Sequence, residues 1–284
     1  MRLALASGVV VAASAAVAAI VWRMGFPLTN DGPAQAFSAY ASAHLDETRF
    51  AAVLEANPDH TTGRAVPLLY ALVDGALGWH DGCRFVTAVI ALLSFWGTAA
   101  VVVGGPGTTP AAIAGALAGA PLAFALSFYL GFVHYQLGAA IGLFAVAWWL
   151  RARVRVDVRG HESLVDVAVL ALLLTASASA HAFGAALAGV AIVVVTCGSP
   201  LTARRVAGVV VAGVPSFLIA LSARGQTADL FHPNLWLGPV DSARIGFFLP
   251  GPSPWWGLAL WLPLLAASMA ALVRWRRLSR TRRA

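Results

Sequence analysis

Lysine is absent from this 284-residue chain, and charge of any kind is scarce: charged residues make up 11% of it. A soluble globular domain carries about 25% charged residues, so the shortage excludes a water-facing surface over the whole length. Cysteine is nearly missing as well. Cys83 and Cys197 stand in different segments, without CxxC or metal-ligand spacing. That excludes a disulfide framework and leaves both as small apolar filler, with a disulfide open to Cys83 only if its segment faces an oxidising compartment. There is no HExxH, P-loop, GxSxG elbow or Rossmann fingerprint, which argues against a zinc protease, a P-loop ATPase, an elbow-type hydrolase and a dinucleotide enzyme. Long-period repeats, coiled-coil heptads and low-complexity linkers are missing too.

What is present is apolar residue in long runs: 60% of the chain is hydrophobic, with a mean hydropathy of +0.79. A bilayer span needs about 20 apolar residues. The candidate spans are 3–22, 84–104, 109–128, 134–150, 164–180, 183–198, 206–222 and 254–273, with 65–80 as a weaker ninth. Backbone in lipid must satisfy its own hydrogen bonds, so such runs form helices. The sequence therefore predicts an all-α fold, a polytopic transmembrane helical bundle of about eight spans (between seven and nine), built as a single integral membrane domain over 1–284. The first run reads as an uncleaved span rather than a signal peptide, being longer than a usual signal h-region and lacking a polar cleavage site.

All nineteen basic residues are arginine, and the formal net charge is +7. A basic balance can mean nucleic acid, but these arginines cluster in short loops beside apolar runs, which is the positive-inside pattern of a membrane protein and predicts no nucleic-acid partner. The clusters are Arg151, Arg153, Arg155 and Arg159; Arg204 and Arg205; and the basic tail 274–284. Arginine without lysine, amid abundant Ala, Gly and Val, fits a high-GC bacterial genome. The reading is a multi-pass protein of the bacterial inner (plasma) membrane with both termini cytoplasmic. Loop 23–83 is acidic and reads as external, with amphipathic juxtamembrane helices; 223–253, rich in Pro, Gly and aromatics, is a second external loop. Parity places all three arginine clusters inside only if 65–80 lies on the membrane or dips into it. That segment is short and holds Asp74, and an acid at mid-membrane costs about 2.5–3.5 kcal/mol.

The polar residues that packing explains poorly gather on the external side. Asn30 and Asp31 open the first external loop just before Gly32-Pro33; Asp31 either caps the following helix or presents a carboxylate where a lipid-linked head group arrives. Asn57, in Asn57-Pro58-Asp59-His60, and Arg64 form either a polar turn or a sugar- and phosphate-binding edge. His134 and Gln136 follow an aromatic stretch that itself reads as an interfacial belt. His181 lies among small residues that allow close helix approach; it is either a satisfied structural histidine or a phosphate and proton-relay group.

A first span followed by TNDGPAQAFSAY resembles the membrane glycosyltransferases of the GT-C superfamily. The order DGPAQAF, EANPDHTTGRAVPLLYALV, YLGFVHYQLGAAIGLFAVAWWLRAR and ASAHAFGAAL is similar to an uncharacterised bacterial group of GT-C-like proteins over residues 1–200. Gln35 or Ala36 stands where that group tends to carry His, His134 stands near an expected Asn, and the chain is shorter than typical GT-C enzymes. The resemblance implies a glycosyltransferase, or an inactive relative, acting on a polyprenyl-phosphate-linked sugar at the external face. Asp31 would be the catalytic base or a ligand of a divalent cation, and Asn30, Asn57, Arg64, His134, Gln136 and His181 would bind substrate. The other reading is a non-enzymatic membrane complex subunit, with a membrane protein partner, or a transporter component. Only Asp74 and Asp166 are candidates for charge inside a span, which leans away from an ion-coupled transporter.

Overall fold

In the computed structural model of the chain, structure is described for residues 2–24, 32–54, 63–104, 119, 123–124, 132–159, 162–198 and 202–222. Among these the regular structure is helical, without a strand. The elements are α1 (Arg2–Arg23), α2 (Gly32–Ala43), α3 (Thr48–Ala51), α4 (Ala65–Gly104), α5 (Val133–Arg159), α6 (Leu164–Ala180), α7 (Ala182–Cys197) and α8 (Ala203–Ser222).

The 40 residues of α4 do not form one rod. Gly78 adopts φ 68° and ψ 179°, a region that is essentially glycine's alone. The first arm, 65–77, folds back on the second, 79–104. A Cβ on Gly82 would lie 3.2 Å from the Tyr70 ring, and Val66, Tyr70, Cys83 and Val86 share one buried cluster. At 1.5 Å per residue the second arm is about 39 Å long and the first about 20 Å, against an apolar bilayer thickness of about 30 Å. The segment 65–80 thus holds the first arm and the turn of a helical hairpin.

Helices α5, α6 and α7 form the centre of the bundle. Gly138 near the start of α5 lies against Ser177 and His181, while Arg155 near its end pairs with Asp166, so α5 and α6 run antiparallel. α7 runs alongside α5 in the same direction. Gly184 touches Gly138, and further along Trp149 Nε1 donates to Thr196 Oγ1 at 2.9 Å and Arg153 donates to the Val195 carbonyl at 2.8 Å. Trp149, Leu170, Ala145 and Ile192 fill the core between them. α8 lies parallel to α6, with Gly208 against Val167 and Arg205 bonded to Glu162. α1 lies on the second arm of α4, where Trp96 Nε1 donates to Ser14 Oγ at 2.9 Å and Val17 and Val21 join Ala91 and Phe95 in a buried cluster.

These directions give the bundle two chemically distinct ends. Arg153, Arg155 and Arg205 meet at one end with Glu162 and Asp166. Asp166, weighed in the sequence as a charge inside a span, instead closes a capping box with Ser163 at the start of α6 and pairs with Arg155, which stacks on Trp148. A carboxylate in a first helical turn is favoured by the orphan N–H groups there. The opposite end holds α2, the turn of the α4 hairpin, the start of α5 and His181.

Three described helices are long and apolar enough to cross a membrane by length and composition: those within Ala65–Val102, Val133–Val156 and Ala203–Ser222. In the first, the second arm supplies the length. Gly8–Arg23, Leu164–Ala180 and Ala182–Cys197 are apolar but shorter. Large apolar side chains such as Leu172, Val190, Val211 and Phe217 face outward, as hydrocarbon-facing positions do. The run 254–273, most of 109–128, the loop 223–253 and the basic tail lie outside the described residues.

Candidate functional site

Arg64, His134, Gln136 and His181 all sit at the end opposite the paired arginines; Asn30, Asp31 and Asn57 lie outside the described residues. The Gly63 N–H donates to the Ser179 carbonyl at 2.8 Å, which pins the start of the first arm to the end of α6 and carries the exposed Arg64 toward the α6–α7 turn. That turn is a single residue. His181 is extended, with φ −166° and ψ 122°, and its N–H donates to the Ser177 carbonyl at 2.8 Å. The Tyr135 ring meets its imidazole edge-on, with centroids 5.6 Å apart. Nδ1 of His181 is buried without a hydrogen-bond partner among the described residues, an arrangement that costs free energy unless another group, a ligand or water completes it.

Gln136 is committed differently. Its amide nitrogen donates to the Ala123 carbonyl at 2.6 Å, and its buried Oε1 has no partner among the described residues. The side chain is 4% exposed as part of the packed interior, so the amide N–H serves the fold rather than a substrate. His134 stands half-buried in the first turn of α5.

A small cleft, partly open to the outside, lies beside these residues. α2 contributes Gly32, Gln35, Ala36 and Ala39; the two arms of α4 contribute Val66, Tyr70, Cys83, Val86, Thr87 and Ile90; α5 contributes Val133. Gly32 is bonded to Asp31 and Val133 to His134, so two of the sequence candidates are chain neighbours of the cleft wall. The lining is mostly apolar. Such a surface takes a hydrocarbon chain or a ring face and leaves charge for the rim.

Sequence reasoning missed a polar cluster on the flank of this cleft. His44, just after α2, bonds through Nδ1 to Glu47 and through Nε2 to Asp74 on the first arm, each at 2.7 Å. Tyr70, a cleft residue, donates its hydroxyl to the other Asp74 oxygen. Arg49 Nε donates to Glu47 at 2.7 Å, and its second nitrogen donates to the Tyr40 hydroxyl at 2.6 Å. Tyr40 stacks near His44 and meets Trp79 edge-on at 5.0 Å. Desolvation pulls the His44 pKa down, but the hydrogen bonds and charges of Asp74 and Glu47 together outweigh it, and the net shift is upward. Two signals for the cluster stand in the sequence: the i, i+3 pair His44 and Glu47, and the i, i+4 pair Tyr70 and Asp74. Their meeting across thirty positions is tertiary.

Among the described residues no group of three or more His, Cys, Asp or Glu is placed to hold a metal ion. Both imidazole nitrogens of His44 are already engaged by carboxylates, which leaves neither for a metal or a substrate. Both cysteines are free thiols, Cys83 buried in the cleft wall and Cys197 exposed. Comparisons with family models, with curated proteins and with solved structures returned no match.

Proposed function

We propose that the chain is a GT-C-like glycosyltransferase, or an inactive relative of one, that takes a sugar from a polyprenyl-phosphate donor at the external end of a bundle of about eight spans in a bacterial inner membrane, with both termini cytoplasmic. The observation that carries the reading is the cleft: an apolar pocket at the end away from the paired arginines, whose wall continues directly from the Asp31-Gly32 segment. An isoprenoid chain suits the apolar lining, and its head group then lies at the rim. In the proposed reaction the Asp31 carboxylate takes the proton from an acceptor hydroxyl. The acceptor oxygen forms a bond to the anomeric carbon, the bond from that carbon to the phosphate oxygen breaks, and polyprenyl phosphate leaves. Arg64 offsets the phosphate charge, and His181 Nδ1, buried and short of a partner among the described residues, supplies a hydrogen bond. The steps use only the chain's own groups.

The competing reading, a non-enzymatic subunit of a membrane complex or a transporter component, draws support from the pairing of the acids. Asp74, Glu162 and Asp166 are each bonded to a neighbour in the fold, as structural carboxylates are. That pairing also weakens the ion-coupled transporter form, which needs an acid available to its cargo.

The deciding experiment is Asp31→Asn in the full chain, reconstituted in nanodiscs and supplied with radiolabelled polyprenyl-phosphate sugars. Removing a general base lowers transfer by about 10²–10⁴-fold while thermal stability stays within about 0.5 kcal/mol, the usual range for a surface change. Transfer at the wild-type rate removes Asp31 as the base, and a wild-type chain inert toward every polyprenyl-phosphate sugar offered favours the inactive-relative or subunit reading.

A further inference from the structure

The two walls of the cleft are joined at one end by a histidine between two carboxylates. α2 forms one side of it through Gly32, Gln35, Ala36 and Ala39, and the arms of α4 form the other. Apolar contact joins the two sides along α2, where Ala39 packs with Val66 and Tyr70. At the C-terminal end of α2 the connection is polar and narrow: the imidazole of His44 bridges Glu47, between α2 and α3, and Asp74, on the first arm of α4.

The bridge has a stoichiometry that fixes its charge. A neutral imidazole carries one N–H and one lone pair, whereas an imidazolium carries two N–H donors. His44 faces a carboxylate oxygen at 2.7 Å on each nitrogen. Both contacts are hydrogen bonds only when the ring is charged. With the ring neutral, one nitrogen lone pair faces a carboxylate lone pair, and that contact turns repulsive. The groups around His44 reinforce this. Tyr40 on α2 stacks against the ring, Arg49 on α3 holds Glu47 in place, and Tyr70 on the first arm donates to Asp74. Among these described neighbours two carboxylates touch the ring and no cation does.

We propose that His44 is a proton-gated clamp: charged, it ties α2 to the first arm of α4 and narrows the cleft; neutral, it releases that end of α2 and lets the cleft widen. The side chains of His44 and Asp74 are 25% and 16% exposed, so solvent protons reach the switch without unfolding. Release is a loosening rather than a detachment, because Ala39 and the Tyr40–Trp79 contact remain. The sign follows from the linkage. A histidine whose pKa is raised on folding contributes its stabilisation fully below the unfolded value, about 6.5, and loses it as pH rises through the folded value. The clamp is therefore closed in mild acid and opens toward alkaline pH. It acts on the cleft whatever reaction the cleft serves.

Spin labels read the motion without any enzymatic assay. Ser42→Cys on α2 and Leu72→Cys on the first arm are both exposed positions; Cys83→Ala and Cys197→Ser remove the native thiols. In the full chain in nanodiscs, the distance between the labels is expected to be a single narrow population at pH 5.5. A longer population grows by about threefold to fivefold relative to it by pH 8.5, the range available to a partly exposed ion pair. His44→Gln, which cannot charge, is expected to show the longer population at both pH values. Asp74→Asn keeps a titrating histidine but removes one carboxylate, and moves the midpoint to lower pH. A distance distribution unchanged between pH 5.5 and 8.5 overturns the clamp, as does a pH response that survives intact in His44→Gln or a midpoint unmoved by Asp74→Asn.

Discussion

Replacing Gly184 with alanine probes the helix crossing that places His181 and Tyr135. A Cβ there would lie 2.6 Å from the Ala139 nitrogen, 2.6 Å from the Gly138 carbonyl carbon and 3.1 Å from the Gly138 Cα. Ordinary carbon contacts are near 3.5–4.0 Å. All three obstacles are backbone, so no rotamer change relieves them, and α7 must move away from α5 by about 1 Å to restore contact distances of that size. The move strips contacts along the whole crossing, including the Trp149–Thr196 bond and the packing of Ala188 against Gly142. Overpacking a well-fitted interior costs about 1–3 kcal/mol, and the backbone obstacle puts Gly184→Ala at the upper end, about 2–3 kcal/mol. Gly189, five residues further along α7, is the matched control. A Cβ there meets nothing within 4 Å, so Gly189→Ala is expected to be neutral or to stabilise by up to about 1 kcal/mol through helix propensity. Unfolding of the two variants in mixed micelles, titrated with SDS and followed by circular dichroism, gives the comparison. If Gly184→Ala loses less than about 1 kcal/mol, or the two variants lose the same amount, the close crossing of α5 and α7 is wrong.

Two further substitutions test the frame. Gly78→Ala places a side chain at φ 68° and ψ 179°. It should destabilise by about 1–3 kcal/mol, read as a lower thermal midpoint and as faster proteolysis at the turn between the arms; an unchanged midpoint argues against the hairpin. Glu162 and Arg205 form a pair with side chains only 7% and 8% exposed. Glu162→Ala should cost about 3 kcal/mol or more by leaving a buried guanidinium, whereas Glu162→Met with Arg205→Met should recover most of that loss. Equal losses in the single and double variants would mean the two groups do not depend on each other.

The helical architecture was legible because scarcity of charge leaves long apolar runs few alternatives to helix. The grouping of arginines was legible in part. Arg155 and Arg205 do arrive at one end, brought together by Asp166 and Glu162, which stand four residues apart around the start of α6. The break in α4 showed only as a weak separation of 65–80 from 84–104, because Gly75, Gly78 and Gly82 stand close together and nothing in the sequence says which of them takes a positive φ. Of the site, the relation of His181 to Tyr135 was visible only as two residues on neighbouring runs. The commitment of Gln136 to the Ala123 carbonyl was not visible at all, since a polar side chain at a helix start reads the same whether it bonds backbone or substrate. The His44 cluster escaped for a related reason. His44 and Glu47 read as ordinary polar residues of an acidic loop, and Asp74 as an isolated acid in an apolar segment, until the fold brings residue 74 to residue 44.

Asp74 shows why an insertion cost applied residue by residue is a poor guide to such a segment. Taken alone, a carboxylate in an apolar helix argues against burial, by about 2.5–3.5 kcal/mol at mid-membrane. The structure answers with geometry instead of avoidance. The hairpin sets the acid at one end of the bundle, where Tyr70 and His44 each bond one of its oxygens. The two ends of the molecule then differ in how their charges are held. The Glu162–Arg205 pair is almost fully enclosed, whereas the His44–Glu47 pair is 25% and 37% exposed. Opening an enclosed pair separates two charges that water reaches poorly, so it ties the residues just before α6 to α8. A solvated pair can be remade with water and protons at little cost. Rigidity therefore belongs to the arginine end, and whatever movement the cleft requires belongs to α2 and the first arm of α4.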